Sequence, residues 1–175
     1  MLVVRDLTEE DIDAVAALNV RSWQAGYAGI VPADVLDALD PAAFAERRRS
    51  RSTPPGARTV VADDGGTIVG FASFGPYLLQ QEQDTYDSAI GELYAIYVDP
   101  DRWSTGAGRA LMAAAREALA VAGYPEFRLW VLEDNHRARR FYERAGMAPD
   151  GDRDFYTPAG GSTALPEVRY AASLE

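Results

Sequence analysis

Residues 97–111 read YVDPDRWSTGAGRAL and join an apolar strand to an alanine-rich helix through a turn with two glycines. The free amides at the start of a helix, together with the helix dipole, attract an anion. Gly106 and Gly108 would keep a Cβ from holding that anion away from the amides. The turn therefore predicts a pyrophosphate site at the N-terminus of the helix.

Two other interpretations of this turn stay open. A dinucleotide-binding turn of the Rossmann type needs a third glycine three residues after the second, and Leu111 stands at that position. A tight turn that binds nothing can also contain two glycines. The surrounding segments must decide between these interpretations.

Strands and helices follow one another on both sides of the turn. Strands are predicted over Leu2–Asp6, Arg58–Ala62, Thr67–Phe74, Glu92–Val98, Phe127–Leu132, Asp150–Tyr156 and Leu165–Ala171. Helices are predicted to start near Thr8, Pro32, Pro41, Gly106 and Asn135. The polar segment Gly75–Ala89, which contains Pro76, predicts a loop near the bound ligand. This order predicts a single α/β (α+β) domain over residues 1–173, with a mixed sheet and helices on both faces.

The composition of the chain disfavours several classes of partner and of active site. The formal net charge of −10 would repel a phosphate backbone and favour a cationic or amine-bearing partner. Without cysteine there is no thiol nucleophile and no Cys-based zinc site, and His136, the single histidine, is expected in solvent. No membrane-spanning or leader segment is recognised, so we expect a cytoplasmic protein that binds neither nucleic acid nor a membrane. Leu174 and Glu175 are left out of the domain because such a pair can derive from an expression vector.

A second segment, residues 129–147, reads LWVLEDNHRARRFYERAGM. Together with the turn at 98–111, it resembles the GNAT superfamily of acyl-CoA-dependent N-acetyltransferases, and Leu165–Tyr170 is similar to that family's final strand. The resemblance reaches from the first strand to Ala171 and is specific in these two segments. It implies a mostly antiparallel sheet of six to seven strands. It also implies acetyl transfer from acetyl-CoA to a primary amine of a small molecule or peptide, by direct attack in a ternary complex and without a metal.

The resemblance also assigns coenzyme contacts position by position. The amides from 104 to 109 would hold the pyrophosphate, the strand backbone would pair with the pantetheine arm, and an asparagine would hydrogen-bond the arm or its phosphate end. The residues so predicted are Ile96, Val98, Ser104, Thr105, Gly106, Ala107, Gly108, Arg109 and Asn135. Trp103 departs from the pattern, because the family usually has Gln or Arg there. Arg102 or Arg109 would then supply positive charge.

The catalytic and acceptor residues follow from the same resemblance. Tyr142 would protonate the departing thiolate, since a phenol carries its proton at pH 7. Glu92 would take the proton of the attacking amine, provided that its side chain shares a strand face with residues 94, 96 and 98. Trp23 and Tyr27 would line the acceptor end of the site.

Each assignment has a structural alternative. Asn135 is a good helix N-cap, Tyr142 would serve as a half-buried core aromatic, and Glu92 would be a strand-end carboxylate in solvent. The basic run Arg47–Arg51 is typical of a solvated helix end, with contact to a coenzyme phosphate or an acidic partner as the other interpretation. The alternative function is a GNAT-like domain that binds or senses acyl-CoA without turnover. A homodimer is left open.

Overall fold

The computed structural model describes residues 1–80 and 85–175. The strands are β1 (Leu2–Asp6), β2 (Arg58–Asp64), β3 (Thr67–Gln80), β4 (Thr85–Val98), β5 (Glu126–Leu132), β6 (Ala148–Tyr156) and β7 (Leu165–Ser173). The helices are α1 (Ile12–Gly26), α2 (Ala33–Asp37), α3 (Pro41–Ser50), α4 (Ala107–Val121) and α5 (His136–Arg144). Short 3₁₀ turns, Glu9–Asp11 and Pro100–Arg102, precede α1 and α4.

The described strands form one sheet in the order β1-β2-β3-β4-β5-β7-β6. Every neighbouring pair is antiparallel except β4 and β5, which run parallel. The predicted mixed, mostly antiparallel sheet of six to seven strands is therefore confirmed. A Rossmann-type fold is ruled out, because that architecture requires a mostly parallel sheet.

Helices cover both faces of this sheet, as predicted. On one face α4 buries Leu111, Met112 and Ala115 in the main apolar cluster. On the other face α1 packs Val15 and Leu18 against β2 and β3. Strand residues alternate between these two clusters because successive side chains point to opposite faces. None of the described helices is both long enough and apolar enough to span a membrane.

Two helix starts agree with their local sequence. The Asp40 side chain accepts a hydrogen bond from the Ala42 N–H at 3.0 Å, and Pro41 occupies the first helical position of α3. The Asn135 side chain accepts from the Ala138 N–H at 3.2 Å and caps α5. Such side-chain acceptors satisfy amides that have no partner inside the helix.

The prediction of a loop over Gly75–Ala89 is wrong for the described part of that segment. β3 continues through Gln80 and β4 begins at Thr85, while positions 81–84 of the prediction lie outside the described residues. Pro76 is tolerated in β3 because the register with β4 shifts next to it, and a bulge does not need the N–H that proline lacks. The proline and the polar composition therefore indicated a loop where the chain forms a hairpin.

The parallel pair of strands creates the opening for a ligand. β4 and β5 are paired only at Gly91 with Phe127 and at Glu92 with Arg128. Beyond these two pairs the strands separate, and α4 begins soon after β4 ends. The sheet is therefore split in its middle, between two strands that are each firmly paired on their other side.

Candidate active site

A cleft of about 1550 Å³ opens where β4 and β5 separate. The edge of β4 that faces this cleft has no strand partner in the described chain beyond Glu92, so its backbone is available to an extended ligand. Most of the predicted site residues line this cleft: Trp23, Tyr27, Glu92, Ile96, Val98, Ser104, Gly106, Gly108, Arg109, Asn135 and Tyr142. The side chains of Thr105 and Ala107 are not part of the lining, although both residues belong to the same turn.

The turn before α4 has a special backbone. Gly106, the N-cap residue, has φ 97° and makes no side-chain cap hydrogen bond. Ser104, at φ 63°, is also in the left-handed region that non-glycine residues rarely adopt. Backbone turned in this way directs successive amides to one side, which is the arrangement of anion-binding turns. The geometry of the turn therefore fits the predicted pyrophosphate site.

Gly108 has a packing role that the sequence did not indicate. A Cβ built at this position would lie 3.2 Å from Cε2 of Phe141, on α5. The glycine therefore lets α4 and α5 approach closely, whatever role it has toward the anion. At Gly106 a Cβ would meet nothing within 4 Å, so it is the positive φ that requires glycine there.

The free edge of β4 presents the backbone of Ile96 and Val98. The Val98 carbonyl accepts hydrogen bonds from the Ser22 hydroxyl at 3.0 Å and from Trp103 Nε1 at 2.9 Å, so it points away from β3. The N–H and C=O of one strand residue point to the same side, and so do those of the residue two positions away. The Val98 N–H and both backbone groups of Ile96 consequently face the cleft.

A β-bulge separates Glu92 from these two residues. The register with β3 shifts at Tyr94, which has no cross-strand partner there. The extra residue inverts the alternation of side chains, and Leu93 packs in the α4 cluster together with Ile96 and Val98. Glu92 therefore lies on the opposite face, that of α1. The prediction that Glu92, Tyr94, Ile96 and Val98 share one face is wrong.

Glu92 is a buried carboxylate and not a solvated strand end. Its exposed fraction is 6%, and its Oε1 accepts a hydrogen bond from the Leu78 N–H at 2.9 Å. Burial raises the pKa of Glu92 to about 7, the Leu78 hydrogen bond works against this rise, and the negative charge of Glu167 adds to it. A carboxyl group that titrates near neutrality can exchange a proton with a ligand at physiological pH.

Tyr142 lines the cleft from α5. Its ring lies 5.5 Å from the ring of Phe141 and 6.2 Å from that of Tyr170, measured between centroids. Burial raises the pKa of Tyr142 above its usual 10, the nearby Tyr97 adds to the rise, and the positive charge of Arg137 opposes it. The hydroxyl is therefore protonated at neutral pH and able to donate.

Trp23 and Tyr27 lie together on the α1 side of the cleft. Their ring centroids are 5.1 Å apart, and the Tyr27 hydroxyl is 3.0 Å from the hydroxyl of Tyr97. The aromatic residues Phe74 and Tyr77 of β3 are buried and do not line the cleft. The structure thus brings the predicted acceptor residues into the cavity that holds Glu92 and Tyr142.

Residues 17–147 match the model of the Acetyltransferase (GNAT) family. The chain belongs to the GNAT family of acetyltransferases. It is similar to the uncharacterized N-acetyltransferase YuaI of Bacillus subtilis (strain 168), with 42% identity over 135 residues, 77% of this chain and 74% of that protein. A probable N-acetyltransferase of Mycobacterium tuberculosis is 28% identical over 162 residues, 91% of this chain and 87% of that protein. This GNAT protein is accordingly an acyltransferase.

Solved structures share the fold. The PaiA N-acetyltransferase of Thermoplasma acidophilum, in complex with coenzyme A, superposes with a TM-score of 0.72 at 18% identity and covers 97% of this chain and 98% of its own. YncA of Salmonella typhimurium, a putative acetyltransferase with its cofactor acetyl-CoA, has a TM-score of 0.68 at 17% identity. The match covers 100% of this chain and 95% of that chain. At these identities the likeness concerns the fold. The family therefore indicates a donor based on coenzyme A.

Trp103, at the position where the resemblance predicted Gln or Arg, stacks against Arg137, and both residues line the cleft. The guanidinium carbon of Arg137 lies 3.4 Å from the centre of the Trp103 ring. Arg102 is bonded to Asp64, whereas Arg109 is exposed in the first turn of α4. Of the two arginines proposed to supply charge, Arg109 is therefore the one without a carboxylate partner in the described chain. The contact between Arg137 and Trp103 was not predicted, because the two residues are far apart in the sequence and no local pattern links them.

Asn135 caps α5 and also lines the cleft. The side chain caps α5 through Oδ1, which confirms the capping interpretation, and only 7% of the residue is exposed. The residue also lines the cleft. Because the cap uses the oxygen, the amide nitrogen is available as a donor to a ligand.

Glu167 is a second carboxylate in the cleft that the sequence did not indicate. It lies on β7 opposite Leu132 of β5, and it lines the cavity. Burial raises the pKa of Glu167 to about 7, and the charge of Asp154 adds to the rise. A single glutamate in the last strand shows no pattern that distinguishes it from a solvated residue. Its position depends on β7 being inserted between β5 and β6.

Proposed function

We propose that this protein transfers the acetyl group of acetyl-CoA to a primary amine by direct attack in a ternary complex. The observation that carries the proposal is the composition of the cleft. One cavity contains a carboxyl group with a pKa near 7, a protonated tyrosine, a free strand edge and the uncapped start of α4. The carboxyl group would serve as the base and the tyrosine as the acid. The strand edge and the helix start would bind an extended, anionic donor.

The donor fits the described residues. The amides from 104 to 109 would hold the pyrophosphate, because the turn leaves them uncapped and directed outward. The backbone of Ile96 and Val98 would pair with the pantetheine arm, and Asn135 would donate to it through its amide nitrogen. When bound, acetyl-CoA supplies a thioester whose carbonyl carbon accepts the amine. No residue of the described chain has to form a covalent intermediate.

Glu92 is the proposed base. Its Oε2 accepts no hydrogen bond from a described residue, so one carboxylate oxygen is available to the amine or to a relaying water. A primary ammonium group must lose a proton before its nitrogen can attack, and it must lose another as the amide forms. Glu92 takes this proton most effectively above its pKa of about 7.

Tyr142 is the proposed acid. As the new C–N bond forms, the C–S bond of the thioester breaks and its electron pair goes to sulfur. Tyr142 donates its hydroxyl proton to that sulfur and is restored by proton exchange with Glu92 or with solvent. The donation helps without being indispensable, because a thiol with a pKa of about 8.5 leaves readily as a thiolate.

Titration of the purified protein with acetyl-CoA, followed by amine-dependent thiol release, tests this proposal. We expect acetyl-CoA to raise the melting temperature, since a ligand that binds only the folded state stabilises it. We also expect thiol release that depends on an added primary amine. No shift at saturating acetyl-CoA would contradict the donor site. Binding without amine-dependent release, across a broad amine panel, would favour the acyl-CoA sensor instead.

A further inference from the structure

Arg48, in the last turn of α3, points into the cleft. The residue is half-buried and lines the cavity, and its guanidinium carbon lies 5.1 Å from the centre of the buried Phe71 ring. Its Nη1 donates a long hydrogen bond of 3.4 Å to the Thr59 hydroxyl. α3 and Arg48 approach the sheet from the α1 side, where Trp23 and Tyr27 also lie.

The next residue of the basic run behaves differently. Arg49 points outward and pairs with Glu9 and Asp13, each at 3.1 Å, as expected of a solvated helix end. Arg48, in contrast, has no carboxylate within ion-pair distance among residues 1–80 and 85–175. Burial lowers the pKa of Arg48 to about 10, and the charge of Arg51 adds to the fall. The side chain is still cationic at neutral pH, so it is a partly desolvated charge without a counter-ion.

An unused acceptor lies in the same cavity. Oδ1 of Asn19, on α1, is buried and accepts no hydrogen bond in the described chain, and Asn19 lines the cleft. A buried polar atom without a partner costs free energy unless a ligand or water satisfies it. The α1–α3 side of the cleft therefore offers a cation and a hydrogen-bond acceptor that the protein itself leaves without partners.

We infer that the acceptor amine also carries a carboxylate, as a free amino acid does, and that Arg48 binds this carboxylate. The inference rests on the proposed function, because it names the class of acceptor for that same site. A guanidinium and a carboxylate form charge-assisted, often bidentate hydrogen bonds, so the pair fixes the orientation of the acceptor as well as its charge.

Arg48 and Glu92 line the same cleft from different strands of the sheet. Thr59, the hydrogen-bond partner of Arg48, lies on β2 and is paired with Ser73, and Glu92 lies on β4 and is paired with Gly75, two residues further along β3. The backbones of Thr59 and Glu92 are therefore offset by about 7 Å along β3 and by two strand spacings, about 10 Å, across it, and the side chains of Glu92 and Arg48 extend into the cleft between them. In the bound acceptor the amine would be hydrogen-bonded toward Glu92 and the carboxylate toward Arg48. The amine is thereby directed to the proposed base.

The decisive experiment compares α-amino acids with their carboxamides as acceptors. The carboxamide keeps the side chain and the amine but removes the negative charge, and it also leaves more of the amine unprotonated. We expect kcat/KM to be roughly 10- to 100-fold higher for the best amino acid than for its carboxamide, despite that advantage. Arg48→Gln should remove this preference, and Arg48→Lys should restore part of it. Equal rates for the two acceptors, or an equal loss for both in Arg48→Gln, would overturn the inference.

Two controls isolate the contribution of Arg48 to acceptor binding. Arg49→Gln changes the adjacent, outward-pointing arginine and should leave the preference intact. The dissociation constant of coenzyme A should be the same in Arg48→Gln and wild type. A weaker coenzyme complex would assign Arg48 to a coenzyme phosphate and contradict the inference.

If no amine is acetylated, the proposed function fails by itself. Calorimetric titration of the coenzyme-saturated protein with the same two ligands then decides the inference: Arg48-dependent binding of the amino acid supports it, and absence of that binding refutes it.

Discussion

Glu92→Gln is expected to slow acetyl transfer and to stabilise the folded protein at the same time. The amide keeps the shape of the side chain and an oxygen that can accept from the Leu78 N–H, but it cannot take a proton from the amine. It also removes a charge that burial opposes. A buried carboxylate with a purely structural role would show the gain in stability without the loss of rate.

The size of the stabilisation follows from the pKa of Glu92, which burial raises from 4.5 to about 7. Because the folded state holds this proton more tightly, the contribution to stability is complete below about pH 4.5 and is lost as pH rises through 7. At 1.36 kcal/mol per pKa unit the loss is about 3 kcal/mol of unfolding free energy. Glutamine stays neutral, so the variant should match wild type near pH 4 and exceed it by about 3 kcal/mol at pH 8.

Thermal unfolding and steady-state rates measured over the same pH range test both effects. For a chain of this size, about 3 kcal/mol corresponds to a melting-temperature increase of roughly 6–12 °C at pH 8. The wild-type rate should rise with pH through about 7, and the variant should be about 10²- to 10⁴-fold slower with no such rise. Glu117→Gln, an exposed position on α4, is the matched control and should change neither quantity.

Two results would refute this reasoning. A variant that melts at or below wild type at pH 8 would show that the site does not oppose the charge of Glu92. A variant with the wild-type rate at every pH would assign proton removal to Glu167 or to a water relay.

Three further substitutions test the remaining groups. Tyr142→Phe should lower kcat by roughly 10²-fold with little change in the calorimetric dissociation constant of acetyl-CoA, whereas a wild-type kcat would leave Tyr142 as a core aromatic. Glu167→Gln removes a charge that raises the pKa of Glu92, so the rising limb of the rate profile should move to lower pH, and an unmoved limb would contradict the coupling. Tyr27→Phe breaks the contact with the Tyr97 hydroxyl and should raise KM for the amine several-fold while leaving coenzyme affinity unchanged; a weaker coenzyme complex would move Tyr27 to the donor end.

Much of the fold could be predicted because its signals are local. Proline at 41, asparagine at 135 and the glycine turn at 106 set helix starts that the structure confirms. The apolar strands could be located by composition, and the family resemblance supplied the mostly antiparallel character of the sheet. These features depend on a few neighbouring residues, and tertiary contacts did not override them.

The central hairpin could not be predicted in the same way. Gly75–Ala89 contains a proline and many polar residues, yet β3 and β4 pair through the described part of it with three shifts in register. Bulges are set by how two strands fit against each other, and neither strand shows them by itself. The bulge at Tyr94 matters most, because it turns Glu92 to the opposite face from Ile96 and Val98. The prediction of a base at position 92 therefore assumed an incorrect strand geometry.

Net charge gives little information about the acceptor end of the cleft. A net charge of −10 indicates an acidic protein, and it predicted a cationic or amine-bearing partner. That charge describes the whole surface, whereas recognition in a cleft depends on the few groups that face it and are shielded from water. Arg48 and Arg49 are chemically identical neighbours, and only the packing of α3 against α1 turns one of them inward. An acidic protein can therefore select an acceptor by its negative group, provided that an arginine in the cleft, such as Arg48, has no carboxylate partner of its own.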